Sequence, residues 1–402
     1  MIFKLDMVQT AAIGVIVLFI GQFIKSKVNL LEKYCIPSPV IGGLLFAIIT
    51  LVLRVNGILT IEMDATLQKL FMTMFFTTIG FTASFKLLKK GGAHVIIFLV
   101  ISIILVLFQD ITGVFFAKLF NLNPLLGLST GSVALVGGLG TSGAFGPVFE
   151  KAGAAGATTV AIAAATFGLV VGSMIGGPIA KRLIEKNNIL GNKKSSTNLE
   201  AEEVAITHEN SKKELIPDNF MNAMAIIFLA MGIGTIISTL LQKTGMTFPA
   251  YIGAMVAACI LRNISDTTNM FKIYEDEIDI LGNVFLSLFL AMALMSLQLW
   301  LLAELALPLI IMLCAQTILM ILFAYFITFN FMGKDYDAAV IASGICGFGM
   351  GASANAMANM ETLSKKFGPS PKAFLIVPLV GSLFIDFFNA GIITVFMNFF
   401  GK

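Results

Sequence analysis

Apolar stretches close to twenty residues long recur along the whole chain, at 8–26, 36–55, 66–85, 93–118, 157–180, 219–241, 248–262, 279–300, 305–331 and 372–398. Coiled as a helix, roughly 20 such residues span about 30 Å of hydrocarbon with every backbone group paired internally. Water is a poor solvent for this chain: 12% of its 402 residues are charged and 57% are hydrophobic, whereas soluble domains carry about 25% charge. The pattern predicts an all-α polytopic membrane protein. The first stretch resembles a secretory signal only in part, because Lys25 and Lys27 stand where a small-residue cleavage site belongs, so it is read as a membrane helix.

One long segment, 181–218, is hydrophilic and reads as a solvated linker between two halves, 1–180 and 219–402. The halves echo each other. "GLG" at 138–140 returns as "GFG" at 347–349, and "VGS" at 171–173 returns at 380–382, with the same displacement in both cases. "LQKLFMTMFF" from Leu67 resembles "LGNVFLSLFL" from Leu281, and "SPVIGG" from Ser38 resembles "FPAYIGA" from Phe248. Their collinear order indicates an internal duplication.

Basic residues near span ends set the expected orientation. With five crossings per half, Lys25, Lys27, Lys33, Lys86, Lys89, Lys90, the linker bases, Arg262, Lys272, Lys334, Lys365, Lys366 and Lys372 face the cytoplasm. Lys4, Arg54, Lys69, Lys118, Lys151, Lys243 and Lys402 remain outside, as do both termini. An odd number of crossings inserts the second half upside down relative to the first, an arrangement typical of secondary transporters.

"GGLGTSGAFG", from Gly137, satisfies the dinucleotide spacing G-x-G-x-x-G, but neither a preceding strand nor an aqueous βαβ unit surrounds it. Together with "GICGFGMGASAN", from Gly344, it holds more glycine than close helix packing requires, and each glycine weakens a helix by about 1 kcal/mol relative to alanine. Two interruptions are therefore expected, as re-entrant hairpins near 125–150 and 337–360. Irregular backbone at membrane depth must be covered by protein or line a cavity, which points to a binding site near the midplane.

The motifs "LGNVFLSLFLAMALMSLQLW", "MGKDYDAAV", "CGFGMGA", "ANM", "FGPS" and "FIDFFNA", spread over nearly the whole chain, resemble the bacterial sodium/glutamate symporters. That resemblance implies two inverted five-helix repeats with one hairpin each, elevator-like sodium-coupled uptake of L-glutamate across the cytoplasmic (inner) membrane, and a homodimer among lipids. It implies no cofactor beyond sodium as coupling ion, and no enzymatic activity. Two positions depart from the family pattern: Leu139 stands where histidine is common, and Ser353-Ala354-Asn355 where Thr-Pro-Thr can occur. Uptake of another organic anion or dicarboxylate, or coupling to protons, is the alternative.

No Lys or Arg lies mid-span, so carboxylate donors must come from backbone N–H groups and short polar side chains. The candidates for substrate are Gly138, Gly140, Thr141 and Ser142 in the first hairpin, Gly349, Gly351, Ser353 and Asn355 in the second, and Asn389. Asp386, one turn before Asn389, is a candidate sodium ligand with the carbonyls of Gly137 and Gly347, or a partner for the substrate ammonium. Asp110, beside Gln109, reads either as a proton relay or as a cap on broken backbone. Cys35, Cys259, Cys314 and Cys346 form no C-x-x-C pair and read as packing residues. A net charge of +3 with scattered bases excludes nucleic acid as an expected partner, and a membrane enzyme or a channel lacks a supporting motif.

Overall fold

A computed structural model describes residues 2–29, 31, 36–90, 92–187, 189, 217–243 and 249–401. The first half runs through α1 (Met7–Lys27), α2 (Ser38–Val55), α3 (Thr66–Thr82), α4 (Phe85–Lys90), α5 (Gly92–Leu119), α6 (Pro124–Ser129), α7 (Ser132–Leu135), α8 (Gly138–Lys151) and α9 (Ala157–Lys186). The second comprises α10 (Pro217–Gln242), α11 (Ala250–Thr268), α12 (Glu275–Met295), α13 (Trp300–Leu322), α14 (Phe329–Phe331), α15 (Tyr336–Phe348), α16 (Ser353–Phe367), α17 (Pro371–Leu383) and α18 (Ile385–Phe400).

Among the described residues, eight helices are long and apolar enough to cross a membrane, or nine if α17 and α18, bent by 42° at their junction, count as one span. α11 stands where the seventh span was expected but is not in that set. Arg262, Asn263 and Asp266 occupy its last two turns, where Arg262 pairs with Asp266 at 3.1 Å and with Glu275 at 2.7 Å.

Local chemistry sets several helix ends. Asp6 Oδ1 accepts from the N–H groups of Val8 and Gln9, both at 2.8 Å, while the Asp6 N–H donates to Gln9 Oε1 at 3.1 Å, closing a capping box at the start of α1. Asn123 and Asp335 accept from the first-turn N–H groups of α6 and α15, at 3.0 Å and 2.7 Å.

Two differences from the sequence reading concern the edges. The chain is not purely helical: β1 (Ile2–Leu5) pairs in parallel with β2 (Thr60–Met63), and Lys4 meets Glu62 at 3.1 Å. Four-residue strands carry too little periodic signal to stand out beside long apolar runs. The helix expected to end near 180 runs further, because α9 continues to Lys186, into the hydrophilic segment, with an i,i+4 pair of Lys181 with Glu185 at 3.7 Å. Residues 188 and 190–216 of that linker lie outside the described residues.

The helices sort into two bodies. α1, α2, α3, α10, α11 and α12 pack mainly on one another, around Met74, Phe81, Ile227, Ala258 and Phe285. α5 to α9 and α13 to α18 form the other body, with Phe98, Leu105, Phe323, Ile345 and Phe348 at its core. Each body therefore takes helices from both the earlier and the later part of the chain. Phe145, Tyr251 and Phe289 belong to a third core that joins the two bodies.

Candidate functional site

Both glycine tracts interrupt helices, at positions shifted relative to each other. The first interruption comprises Thr130–Gly131 and Val136–Gly137, so "GLG" opens α8, with Gly138 in the left-handed region at φ 60°. The second covers residues 349–352, so "GFG" lies at the end of α15 and its cap. The two breaks face each other. A β-carbon on Gly138 would lie 3.3 Å from the Gly351 carbonyl oxygen.

Between them lies a cavity of about 230 Å³ at the seam of the two helix bodies. Gly137, Gly138, Gly140 and Thr141 line it from the first break, and Gly351, Ala352 and Ser353 from the second. Asp386, in the first turn of α18, completes the polar wall and makes no hydrogen bond among the described residues. The opposite body contributes an apolar wall of Phe75, Ile79, Leu286 and Leu290. The cavity thus combines the N-terminal turns of α8 and α16, the Thr141 hydroxyl and one carboxylate with a hydrocarbon face, a set suited to a small zwitterionic acid.

Of the predicted substrate contacts, Gly138, Gly140, Thr141, Gly351 and Ser353 reach this cavity. Ser142, Gly349, Asn355 and Asn389 do not. The Ser142 hydroxyl is turned toward backbone carbonyls, donating to Gly138 at 2.7 Å with Ala161 at 3.2 Å. The Gly349 carbonyl accepts from Gln109 Nε2 at 2.7 Å. Asn355 Nδ2 donates to the Leu169 carbonyl at 2.7 Å, and Asn389 Nδ2 to the Ser132 carbonyl at 3.3 Å. The predicted cation set is likewise divided. Asp386 and Gly137 share the cavity, whereas the Gly347 carbonyl accepts from the Ala352 N–H at 3.2 Å, and Gly347 packs on Ala356. The fold pairs Ser142 and Gly347 within their own turns, and Gly349, Asn355 and Asn389 with residues far along the chain, which local spacing does not reveal.

α5 supports both breaks from behind. Asp110 Oδ1 accepts from the Ser132 N–H at 2.9 Å on the first, and its neighbour Gln109 donates to the second. Gln316 Nε2, from α13, donates to the Gln109 carbonyl at 2.8 Å. The repeated "VGS" segments also meet the second break region: the Gly172 carbonyl accepts from Asn359 Nδ2 at 2.9 Å, and the Gly381 carbonyl from Ser353 Oγ at 3.0 Å. The apolar wall was missed as a site component, although Phe75 and Leu286 belong to the repeated "LQKLFMTMFF" and "LGNVFLSLFL" segments. Their repetition was the available signal.

Among the described residues, no group of three or more His, Cys, Asp or Glu side chains could hold a metal ion. A hard monovalent cation, content with amide, hydroxyl and carbonyl oxygens, needs no such cluster.

The sodium/glutamate symporter family model matches residues 3–369. The chain belongs to the sodium/glutamate symporter family. It is 41% identical over 400 residues, covering 98% of both chains, to the sodium/glutamate symporter of Escherichia coli (strain K12), and equally so to that of Shigella flexneri. The symporter of Haemophilus influenzae is 40% identical over 393 residues, with 96% of each chain covered. No solved structure matches the chain. Membership makes this a multi-pass membrane protein of a transporter family, not an enzyme family, and a symporter cavity must bind its cargo and then exchange the side it faces.

Proposed function

We propose that the chain takes up L-glutamate together with sodium across the bacterial cytoplasmic membrane. The observation that carries this reading is the convergence of both helix breaks and Asp386 on one cavity between two helix bodies. Backbone N–H groups at the breaks receive the two carboxylates of glutamate, aided by the Thr141 hydroxyl. Asp386 accepts the substrate ammonium. The apolar wall excludes water, so these polar contacts act in a low-dielectric pocket. Leu139, at the cavity rim in place of the histidine common in the family, adds no donor of its own and leaves recognition to the peptide groups.

The two halves, 1–180 with a hairpin near 125–150 and 219–402 with a hairpin near 337–360, are inverted repeats joined by a cytoplasmic linker at 181–218. Both termini face outside. In support, Arg54 stacks on Trp300 with its guanidinium 3.9 Å from the ring centroid, and Lys118 lies 4.7 Å from the centre of the Phe400 ring, which groups bases assigned to the outer face with the ends of later helices. Transport follows an elevator path: the body carrying both breaks slides against the body of α1, α2, α3, α10, α11 and α12, which forms the scaffold and the homodimer contact. A seam crossed by a cavity is where such sliding would change access.

Uptake of labelled glutamate into proteoliposomes under an imposed sodium gradient tests the reading, with aspartate, glutamine and citrate as competitors. Expected is accumulation that requires sodium and yields to aspartate more than to citrate. Equal uptake without sodium, or preference for citrate, overturns it.

A further inference from the structure

The wall behind the first break holds three buried side chains that the cavity does not use. Asp110 in α5, Ser132 at the start of α7 and Asn389 in α18 are each fully shielded from solvent. They converge on one residue. Asp110 Oδ1 accepts from the Ser132 N–H at 2.9 Å, and Asn389 Nδ2 donates to the Ser132 carbonyl at 3.3 Å. The Ser132 hydroxyl faces the Asp110 carboxylate. Yet Asp110 Oδ2, Ser132 Oγ and Asn389 Oδ1 make no hydrogen bond of normal geometry.

Asp110 Oδ2 and Asn389 Oδ1 are left without a donor and the Ser132 hydroxyl has only the Asp110 carboxylate beside it; buried oxygens so poorly served are costly unless something positive joins them. A buried carboxylate adds to that cost, and no Lys, Arg or His forms an ion pair with Asp110 among the described residues. Amide, hydroxyl and carboxylate oxygens are the ligand types a hard cation takes, and one carboxylate balances one positive charge. The space is tight as well: a β-carbon on Gly131 would stand 2.7 Å from Asp110 Oδ1, so glycine lets the break close over the carboxylate.

We infer that a sodium ion binds between Asp110, Ser132 and Asn389, behind the first break, and not at Asp386. The inference rests on the symport reading and assigns its cation a place. Such a site explains coupling. Asn389 and Asp386 lie one turn apart on α18, so an ion that draws Asn389 toward α7 also fixes the direction in which Asp386 meets the substrate ammonium. It also pins Ser132, whose carbonyl accepts from the Gly137 N–H at 2.9 Å, and thereby shapes the cavity edge.

The test uses the purified full-length chain without glutamate. Binding of radioactive sodium and thermal unfolding are measured in sodium chloride against choline chloride, for the wild type, Asp110→Asn, Ser132→Ala and Asp386→Asn. Asn at 110 keeps an oxygen for the Ser132 N–H but removes the charge. Expected is a rise of at least about tenfold in the sodium concentration needed for half-saturation in Asp110→Asn, with a smaller rise in Ser132→Ala and wild-type sodium binding in Asp386→Asn. If Asp110→Asn does not reach the membrane, Ser132→Ala carries the measurement, since only one hydroxyl is lost. Wild-type sodium affinity in every variant at 110 and 132 overturns the assignment, as does stabilisation of the wild type by acid in choline chloride but not by sodium. A wild type that binds sodium yet takes up glutamate equally well without it overturns instead the symport reading on which the inference rests.

Discussion

The two helix breaks are made by similar sequences but are held from behind by opposite chemistry. At the first, an N–H is left over, that of Ser132, and α5 supplies a carboxylate to receive it. At the second, a carbonyl is left over, that of Gly349, and the adjacent residue on α5 supplies an amide N–H. Asp110 and Gln109 differ by one position and by one charge. The two supports are thus electrostatically unequal, with a buried carboxyl group behind the first break and a neutral contact behind the second. Breaks that were interchangeable at the level of glycine content differ in whether they call for a cation.

The carboxylate in front of the breaks offers the largest test of this inequality. Asp386 is open to the cavity, whereas Asp110 is sealed behind it. Replacing Asp386 by Ala removes a charge partner in a confined site, so glutamate uptake should fall by about a hundredfold or more. The amount of protein reaching the membrane should not change, because Asp386 makes no hydrogen bond within the fold among the described residues. Uptake assays with immunodetection of membrane fractions check this. Near-normal uptake would remove Asp386 from substrate binding.

Behind the second break the effect should be on stability before transport. Gln109→Leu leaves the Gly349 carbonyl without its 2.7 Å donor while keeping the side chain's bulk. A buried carbonyl stripped of its partner costs about 1–3 kcal/mol. The expected result is a lower unfolding temperature in detergent with sodium binding preserved. Loss of sodium binding in this variant would erase the distinction between the two breaks, since the neutral side would then serve the cation too.

Apart from the one expected at 248–262, the spans were readable because one rule, about 20 apolar residues per crossing, operates locally and leaves a long signal. The presence of two breaks was readable from the glycine at residues 137–146 and 344–352, although 138–146 continue as α8 and the first break falls at Thr130–Gly131 and Val136–Gly137. Their placement was not. "GLG" and "GFG" match in sequence yet fall after one break and before the other, because Asp110 and Gln109 decide which peptide groups are paired. These supports come from another helix, and no local spacing encodes them. The same holds for Ser142, Asn355 and Asn389, whose side chains looked available until the fold turned them toward backbone carbonyls. Of the site's apolar half, Phe75 and Leu286 were visible only as part of a repeat.

Gly138 offers a smaller and more local perturbation. Its φ of 60° costs an L-residue about 1–2 kcal/mol, and an added methyl would lie 3.3 Å from the Gly351 oxygen across the gap. Gly138→Ala should weaken glutamate binding by roughly tenfold through the first break alone. Sodium affinity should stay near wild type, because the residues behind the break do not include it. Titration of glutamate against sodium in the variant separates the two affinities, and a matched loss in both would show that the front and back of this break move together.

The smallest expected effect is at Ser142, the neighbour that sequence alone cannot distinguish from Thr141. Thr141 lines the cavity, whereas the Ser142 hydroxyl points back at the Gly138 carbonyl, 2.7 Å away, one turn earlier in α8. Such back-bonding to a helix carbonyl adds little, because that oxygen already has helical partners within reach. Ser142→Ala should therefore change stability by less than about 1 kcal/mol and leave glutamate affinity within roughly twofold. Thr141→Val, which keeps shape and removes the hydroxyl, should reduce affinity more. Glutamate competition curves on the two variants compare them directly. If Ser142→Ala proved the more damaging, the face of α8 turned to the substrate would have to be rotated by one residue, and the carboxylate donors of the first break would need reassignment.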